Sequence, residues 1–277
     1  MKLSIVGDMH YSSNFRGVEA YEETRELYFR QVFSEWFDMT CDFHVSIGDL
    51  TNMGTEEEFT EVLGLIQAYD YQQDFQLVIG NHDAYSLPKD AIQDCIQQPL
   101  YGKLYEDESY CILKIDTNRV MDKVDYSGTL SLEQLEWLAQ EVPQHKGQTL
   151  IILAHHPVYR TTYWSDNILY AIDPNLPIQE ILNQHQGQGI YVNGHTHADS
   201  IVEQGQWLYV QIANFYDQPY FRSIEIDSRQ IKIEAIPLSK YYQQLGIWLG
   251  ANTDYFALNK RGYQGEHHRN FTKILGA

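Results

Sequence analysis

The sequence predicts an α/β fold in which layers of helix and sheet carry a polar site at the carboxyl ends of the strands. Apolar runs of strand length alternate with stretches of helical spacing through the first half of the chain, as in an α/β layer architecture. Five of the apolar runs lead directly into acidic, amide or imidazole side chains. Ligands of open α/β sheets collect at the carboxyl ends of strands, so we expect these five ends to form one site.

The clearest of these strand ends lies in residues 74–83. Residues 75–79 form a short apolar run typical of a buried strand, and Gly80 then permits a sharp turn and the close approach of a ligand. Asn81, His82 and Asp83 follow in a row. The same plan recurs where residues 2–6 lead into Asp8 and His10, 43–47 into Asp49, 149–153 into His155 and His156, and 190–193 into His195 and His197.

The segments between these strands predict helices that return the chain to the sheet. Residues 18–37 have apolar side chains at helical spacing, and capping-box sequences open two further helices at Thr55 and Ser131. A short helix is expected after Pro88. Further strands are predicted at residues 110–116 and, as an antiparallel set, at 200–212, 221–227 and 230–236.

The spread of the motifs from Asp8 to His197 predicts one elaborated domain, residues 1–237, rather than two. Residues 238–277 are an aromatic-rich tail that we expect to pack on this domain, with a lid over the site or an oligomer contact as alternatives. The long connection at residues 158–177 has no periodicity and leaves a strand end that carries two histidines. We therefore expect this connection to shape a substrate pocket.

Composition and charge narrow the classes of partner. The net charge of −19 on 277 residues repels polyanions and disfavours nucleic acid as the main substrate. A small phosphate ester stays compatible, because two bound cations would reverse the local field. No apolar run reaches the length of a membrane span, and the first residues lack the pattern of a signal peptide. Three widely spaced cysteines without a Cys-x-x-Cys pair indicate a reduced, cytoplasmic protein.

The order of the strand-end motifs resembles that of a known family. Asp-x-His, Gly-Asp, Gly-Asn-His-Asp, His-His-Pro and Gly-His-x-His, all within residues 8–197, look like the motifs of the calcineurin-like binuclear metallophosphoesterases. Among these, the chain looks most like the class III cyclic nucleotide phosphodiesterases and the glycerophosphodiesterases. The resemblance implies a four-layer αββα sandwich of two mixed sheets flanked by helices.

The resemblance also implies two metal ions and their ligands. One ion would be held by Asp8, His10, Asp49 and His197, and the other by Asp49, Asn81, His155 and His195. A carboxylate shared between the ions, here Asp49, relieves the repulsion of two cations about 3.5–4 Å apart. Imidazole and carboxylate donors suit Fe, Mn, Zn or Co.

This arrangement predicts hydrolysis of a phosphoester by a hydroxide that bridges the metal ions and attacks phosphorus in line. The metals and Asn81 would hold the non-bridging oxygens. His82, which is not a ligand in this scheme, is placed to protonate the leaving alkoxide. Asp83 and Asn52 are candidates to orient His82.

Several polar residues near the motifs have no assigned role. His156 is either a supporting or substrate-facing residue or a structural one, and Arg16 either contacts a bound anion or is a solvated loop residue. Asp42 and His44 repeat the Asp-x-His spelling away from a strand exit. We therefore predict that these two residues are not ligands.

The motifs also separate the chain from the phosphoprotein phosphatases of the same superfamily, which carry Gly-Asp-x-x-Asp-Arg-Gly and Gly-Asn-His-Glu. Here the second motif continues as Asn52-Met53-Gly54 and the third ends in Asp83, so the Arg that would grip a phosphomonoester dianion is missing. We predict a small-molecule phosphodiester as substrate, of the cyclic nucleotide or glycerophosphodiester type. A phosphomonoesterase, a nuclease and, with least support, a non-catalytic scaffold are the alternatives.

Overall fold

Two mixed sheets of six strands each form the centre of the structure, a computed structural model that describes residues 1–69, 74–259 and 268–275. The strands in chain order are β1 Lys2–Val6, β2 Phe43–Ser46, β3 Phe75–Leu77, β4 Gly102–Glu106, β5 Tyr110–Lys114, β6 Thr149–Leu153, β7 Gly189–Asn193, β8 Ser200–Gln204, β9 Trp207–Gln211, β10 Tyr220–Ile226, β11 Gln230–Pro237 and β12 Phe271–Ile274. The first sheet has the order β12-β11-β10-β1-β2-β3 and the second β4-β5-β6-β7-β9-β8.

Parallel pairing of neighbouring strands in each sheet directs the polar strand ends to the same place. Strands β1, β2 and β3 run parallel to one another, as do β5, β6, β7 and β9. The two sheets pack face to face through buried aliphatic side chains such as Ile5, Val45, Ile151 and Val192. This packing brings the carboxyl ends of strands from both sheets to one edge of the sandwich.

Helices cover the outer face of each sheet. They are α1 Tyr21–Phe37, α2 Glu56–Gln67, α3 Lys89–Ile96, α4 Leu132–Glu141, α5 Ile178–Leu182 and α6 Lys240–Asn252. Helices α1, α2, α3 and α6 bury apolar side chains against the first sheet, and α4 and α5 against the second. As the capping boxes predict, Thr55 and Ser131 accept hydrogen bonds from the backbone of Glu58 and Gln134. The predicted fold class is therefore confirmed.

The main differences from the expected elements lie outside the motif-bearing strands. Strands β4 and β12 and helices α5 and α6 were not predicted. The predicted strand at residues 200–212 is instead an antiparallel hairpin of β8 and β9, which belongs to the second sheet and in which β9 also lies parallel to β7. Strand β8 takes the edge position, two places from β7, and the hairpin then returns the chain as β9 into the place between them.

The residues of the C-terminal tail that the structure describes are attached to the first sheet and its helices. In α6, Leu249 is fully buried and Gly246 faces the hydroxyl of Tyr28 on α1. Strand β12 extends the first sheet by pairing with β11. Residues 260–267, including Tyr263, and 276–277 lie outside the described residues. Within the described part of the chain, no helix combines the length and apolar character needed to cross a membrane.

Candidate metal centre

The four residues assigned to one metal by resemblance lie together at the ends of β1, β2 and β7. The ligand atoms of Asp8, His10, Asp49 and His197 are all within 4.8 Å of one another. Nε2 of His10 is 3.0 Å from Nε2 of His197, which is itself 3.5 Å from Oδ1 of Asp8. Two carboxylates facing two imidazole nitrogens form a donor set that suits a first-row transition metal.

The residues assigned to the other metal form a second group beside the first. Oδ1 of Asn81 is 3.1 Å from Nε2 of His155 and 2.9 Å from Nδ1 of His195. Asp49 lies between the groups, since its Oδ2 is 3.4 Å from Nε2 of His155 and 3.7 Å from Nε2 of His10. The structure thus brings all seven residues together, with Asp49 in the position that a shared ligand needs.

The backbone at these strand ends is unusual. Five of the seven residues adopt left-handed conformations, with φ of 47° at Asp8, 48° at His10, 51° at Asp49, 71° at His195 and 57° at His197. Residues other than glycine rarely adopt this backbone conformation, which costs roughly 1–3 kcal/mol per residue. Such outliers cluster at functional sites, because the surrounding structure must hold them in place.

Hydrogen bonds to backbone carbonyls fix how two of the imidazoles present their nitrogens. His155 donates from Nδ1 to the carbonyl of Ile47 at 3.0 Å, and His195 donates from Nε2 to the carbonyl of Leu169 at 3.2 Å. Each bond occupies one ring nitrogen and leaves the other directed at Asn81 Oδ1. Metal-binding histidines typically have a second partner of this kind.

Two glycines allow the strand ends to approach each other closely. A Cβ atom on Gly48, where φ is 108°, would lie 2.1 Å from Nδ1 of His155. A Cβ atom on Gly80 would lie 2.1 Å from Oδ1 of Asp49. The absence of a side chain at these positions lets the ligand residues pack against the neighbouring backbone.

Burial and neighbouring charges leave most of the imidazoles neutral. Burial lowers the pKa of His195 to about 3 and that of His197 to about 4. For His155 burial acts in the same direction, but the charge of Asp49 outweighs it and raises the pKa to about 9. Burial opposes ionisation of Asp49 as well, yet His155 and His82 hold its pKa well below the usual value. The neutral imidazoles and the ionised Asp49 carboxylate are in the forms that bind cations.

His82 lies beside the two groups and is anchored through the backbone. Its Nδ1 donates to the carbonyl oxygen of Asn52 at 2.7 Å, and its backbone N–H donates to Oδ1 of Asp49 at 2.8 Å. The side chain of Asn52 points elsewhere, donating to the carbonyl of Asp254 at 2.8 Å. Asn52 therefore contacts His82 through its main chain and not, as a role for the amide would require, through its side chain.

The carboxylate of Asp83 makes no direct hydrogen bond to the ring of His82, whose Nδ1 bonds to the carbonyl of Asn52. The same carboxylate accepts hydrogen bonds from the backbone of Leu50, Thr51 and Gly80 and from the hydroxyl of Thr51, at 2.6–3.2 Å. Burial and the charge of Asp49 raise the pKa of Asp83 to about 6. Asp83 instead ties the loop that carries Asp49 to the loop that carries Asn81. The reason is geometric, because the Asp83 side chain is directed at the backbone N–H groups of Leu50, Thr51 and Gly80.

The residues without an assigned role are also placed. Both ring nitrogens of His156 are engaged inside the protein, by the hydroxyl of Thr117 and the carbonyl of Tyr126, so His156 supports the site from behind. Arg16 donates to the carbonyl of Phe256 at 3.2 Å and is not among the residues that line the site. His44 is packed under α1, where its Nε2 donates to the carbonyl of Trp36. Asp42 accepts from the backbone of Lys2, so neither residue of this pair reaches the site.

A cavity of about 420 Å³ opens above the two groups. Its walls include Tyr85, Tyr126, Trp164, Tyr170 and the tail residues Ala257, Leu258 and Asn259. Trp164 and Tyr170 belong to the connection that was expected to shape the pocket. No lysine or arginine is among the described residues that line the cavity.

The contribution of the tail was not predicted in this form. The ring of Phe256 packs 4.8 Å from that of His10 and 5.6 Å from that of His197, measured between centroids. Asn259 donates to the carbonyl of His197 at 3.3 Å. The only sequence signal for these contacts was the aromatic content of the tail, which does not specify what the rings touch.

Comparisons with known proteins agree with this geometry. The family described as calcineurin-like phosphoesterase matches residues 1–199. A probable cyclic nucleotide phosphodiesterase of Synechococcus sp. is 26% identical over 204 residues, covering 71% of this chain and 76% of the relative. A probable cyclic nucleotide phosphodiesterase of Fibrobacter succinogenes is 21% identical over 203 residues, covering 73% and 75%.

Solved structures show the same fold at low sequence identity. A dimetal phosphatase from Danio rerio superposes with a TM-score of 0.66 at 13% identity, covering 85% of this chain and 95% of the other. A purple acid phosphatase from yellow lupin gives 0.56 at 15% identity, covering 85% and 51%. The match over residues 1–199 confirms the resemblance of the motifs, and the chain belongs to the calcineurin-like phosphoesterase family.

Proposed function

We propose that this chain is a two-metal phosphodiesterase that hydrolyses small-molecule diesters. The observation that carries the proposal is the position of Asp49, whose Oδ2 lies within 3.7 Å of ring nitrogens from both ligand groups. Asp8, His10 and His197 would complete the first metal site, and Asn81, His155 and His195 the second. Fe, Mn, Zn and Co all suit these donors.

The residues of the site have distinct tasks in this proposal. When bound, two metal ions lower the pKa of water and polarise the phosphoryl oxygens. Asn81 would help to hold a non-bridging oxygen of the phosphoryl group, and Asp49 would fix His82 through the hydrogen bond that its Oδ1 accepts from the backbone N–H. Because Nδ1 of His82 donates to the carbonyl of Asn52, Nε2 is left to carry a proton to the departing oxygen.

The lining of the cavity supports a diester rather than a monoester. A phosphomonoester carries two negative charges near neutral pH, and proteins commonly grip such groups with arginine. The described lining contains no arginine or lysine, which suits the single charge of a diester. The names of the bacterial relatives point in the same direction. A cyclic nucleotide or a glycerophosphodiester is the proposed type of substrate, with a phosphomonoesterase, a nuclease and a non-catalytic scaffold as the alternatives.

The organisation of the chain and its compartment are parts of the proposal. Residues 1–237 would form the catalytic domain, and residues 238–277 a tail that contributes a wall of the cavity. Cys41, Cys95 and Cys111 are all free, which supports a reducing, cytoplasmic environment.

The test combines metal analysis with a panel of substrates. Elemental analysis of the purified protein should find two metals per chain, and chelation should abolish hydrolysis until metal is restored. Rates on cyclic nucleotides, glycerophosphodiesters and bis(nitrophenyl) phosphate should exceed those on phosphomonoesters, phosphopeptides and duplex DNA. Full activity after chelation would refute the two-metal proposal, and a phosphopeptide cleaved faster than every diester would refute the substrate class.

A further inference from the structure

Tyr85 is bonded to one of the ligand residues in a way that leaves its own proton unused. The Nδ2 amide of Asn81 donates to the Tyr85 hydroxyl at 2.8 Å. The orientation of this amide is set by its other end, because Oδ1 is directed at His155 and His195. The hydroxyl oxygen is therefore an acceptor in this bond, and its hydrogen must point elsewhere. Among the described residues, none accepts that hydrogen.

The position of Tyr85 indicates where this hydrogen goes. Tyr85 lines the cavity, and its ring centroid lies 4.5 Å from that of His82. Within the described part of the chain, the cation over this ring is Lys123, whose Nζ is 5.8 Å from the ring centroid and which is not among the lining residues. The hydroxyl is thus a neutral donor in the wall of a cavity whose described lining contains no lysine or arginine.

We propose that the Tyr85 hydroxyl donates a hydrogen bond to a non-bridging phosphoryl oxygen of the substrate. The inference rests on the proposed diesterase function and deepens it, because it names the group that takes the place of the missing arginine. A neutral donor suits the single negative charge of a diester, whereas the dianion of a monoester would call for a positively charged group. The bond strengthens as negative charge develops on the phosphoryl oxygens, so it favours the transition state.

The first test is Tyr85→Phe, which keeps the ring beside His82 and removes only the hydroxyl. Loss of one donor of this kind typically lowers kcat by about 10²–10³-fold. The loss should be similar for bis(nitrophenyl) phosphate and for an alkyl diester, because the bond is made to a non-bridging oxygen and not to the leaving group. Tyr101→Phe is the matched control, since it removes a hydroxyl that bonds to Glu133 at the surface and should leave the rate unchanged.

A second readout separates this role from simple support of Asn81. Replacing one non-bridging oxygen of the substrate by sulfur weakens hydrogen bonds to that position. In one diastereomer, the rate penalty for sulfur should therefore be smaller in Tyr85→Phe than in the parent. Metal content should stay at the parental value.

Four outcomes decide the question. A Tyr85→Phe rate equal to that of the parent, or a loss that excess metal fully restores, would overturn the role of Tyr85 while leaving the diesterase function intact. An unchanged sulfur penalty in both diastereomers would do the same. A parent enzyme that hydrolyses no diester at all would instead overturn the proposed function on which the inference depends.

Discussion

Adding one methyl group at Gly80 should disable the site by displacing Asp49. The new Cβ would lie 2.1 Å from Oδ1 and 2.3 Å from the backbone nitrogen of Asp49, against an ordinary contact of at least 3.4 Å. The carboxylate of Asp49 and the backbone at position 80 must therefore move apart by about 1.3 Å. The shift also strains the 2.8 Å bond from the backbone of His82 to Oδ1 of Asp49.

The expected cost of Gly80→Ala follows from that displacement. A misplacement of about 1 Å in a catalytic array can cost about 10²-fold in rate, and overpacking of this kind destabilises a fold by about 1–3 kcal/mol. Both metals should bind more weakly, because Asp49 is the proposed ligand of both. The assays are metal content after gel filtration, kcat/KM on bis(nitrophenyl) phosphate, and urea unfolding.

Gly64→Ala provides a control for the same chemical change. Gly64 lies in α2 with nothing within 4 Å of an added Cβ, so alanine should stabilise the helix by about 0.5–1 kcal/mol and leave activity unchanged. The reasoning fails if Gly80→Ala retains both metals at parental affinity and hydrolyses the diester within about threefold of the parent.

Three further substitutions test other parts of the molecule. His82→Ala should slow an alkyl diester by about 10²–10⁴-fold but slow a nitrophenyl diester much less, with metal content unchanged; equal losses on both would exclude a general acid. Phe256→Ala should lower stability by about 3–5 kcal/mol and weaken the metal held by His10 and His197 but not the other, as a competition assay with a chelator would measure. Lys114 is fully buried and burial lowers its pKa from 10.5 to about 8. The unfolded chain therefore binds more protons in that pH window, and stability rises with pH there. Lys114→Met removes this dependence, so its stability relative to the parent should fall by about 3 kcal/mol between neutral pH and pH 10.5; a constant difference would contradict the pKa.

The elements that could be predicted are those with a local signal. Each of the seven proposed ligand residues follows a strand within a few positions, so a strand pattern and a polar residue were enough to predict that these side chains come together. The roles of Asn52 and Asp83 could not be predicted in this way. Asn52 acts through a backbone carbonyl, which every residue has, and the direction of the Asp83 side chain depends on the turn at Gly80.

The walls of the cavity carry no comparable signal. Phe256 and His10 are in contact although they lie near opposite ends of the sequence. Phe256 follows α6, and the packing of α6 on α1 helps to bring the two rings together. The proposed role of the Tyr85 hydroxyl depends on the orientation of the Asn81 amide. That orientation depends in turn on His155 and His195, which are far away in sequence. Contacts of this kind follow from the assembled fold and cannot be derived from spacing along the chain.

The left-handed backbone of the proposed ligand residues lowers the stability of the fold while it positions the side chains on which activity would depend. Five such residues at roughly 1–3 kcal/mol each oppose folding by an amount comparable with the whole stability of a typical domain, about 5–15 kcal/mol. Glycine relieves this strain and asparagine tolerates it better than most side chains. Selection for thermal stability alone would therefore enrich glycine or asparagine at these positions. The most stable variants would be inactive, because they would lack proposed metal ligands.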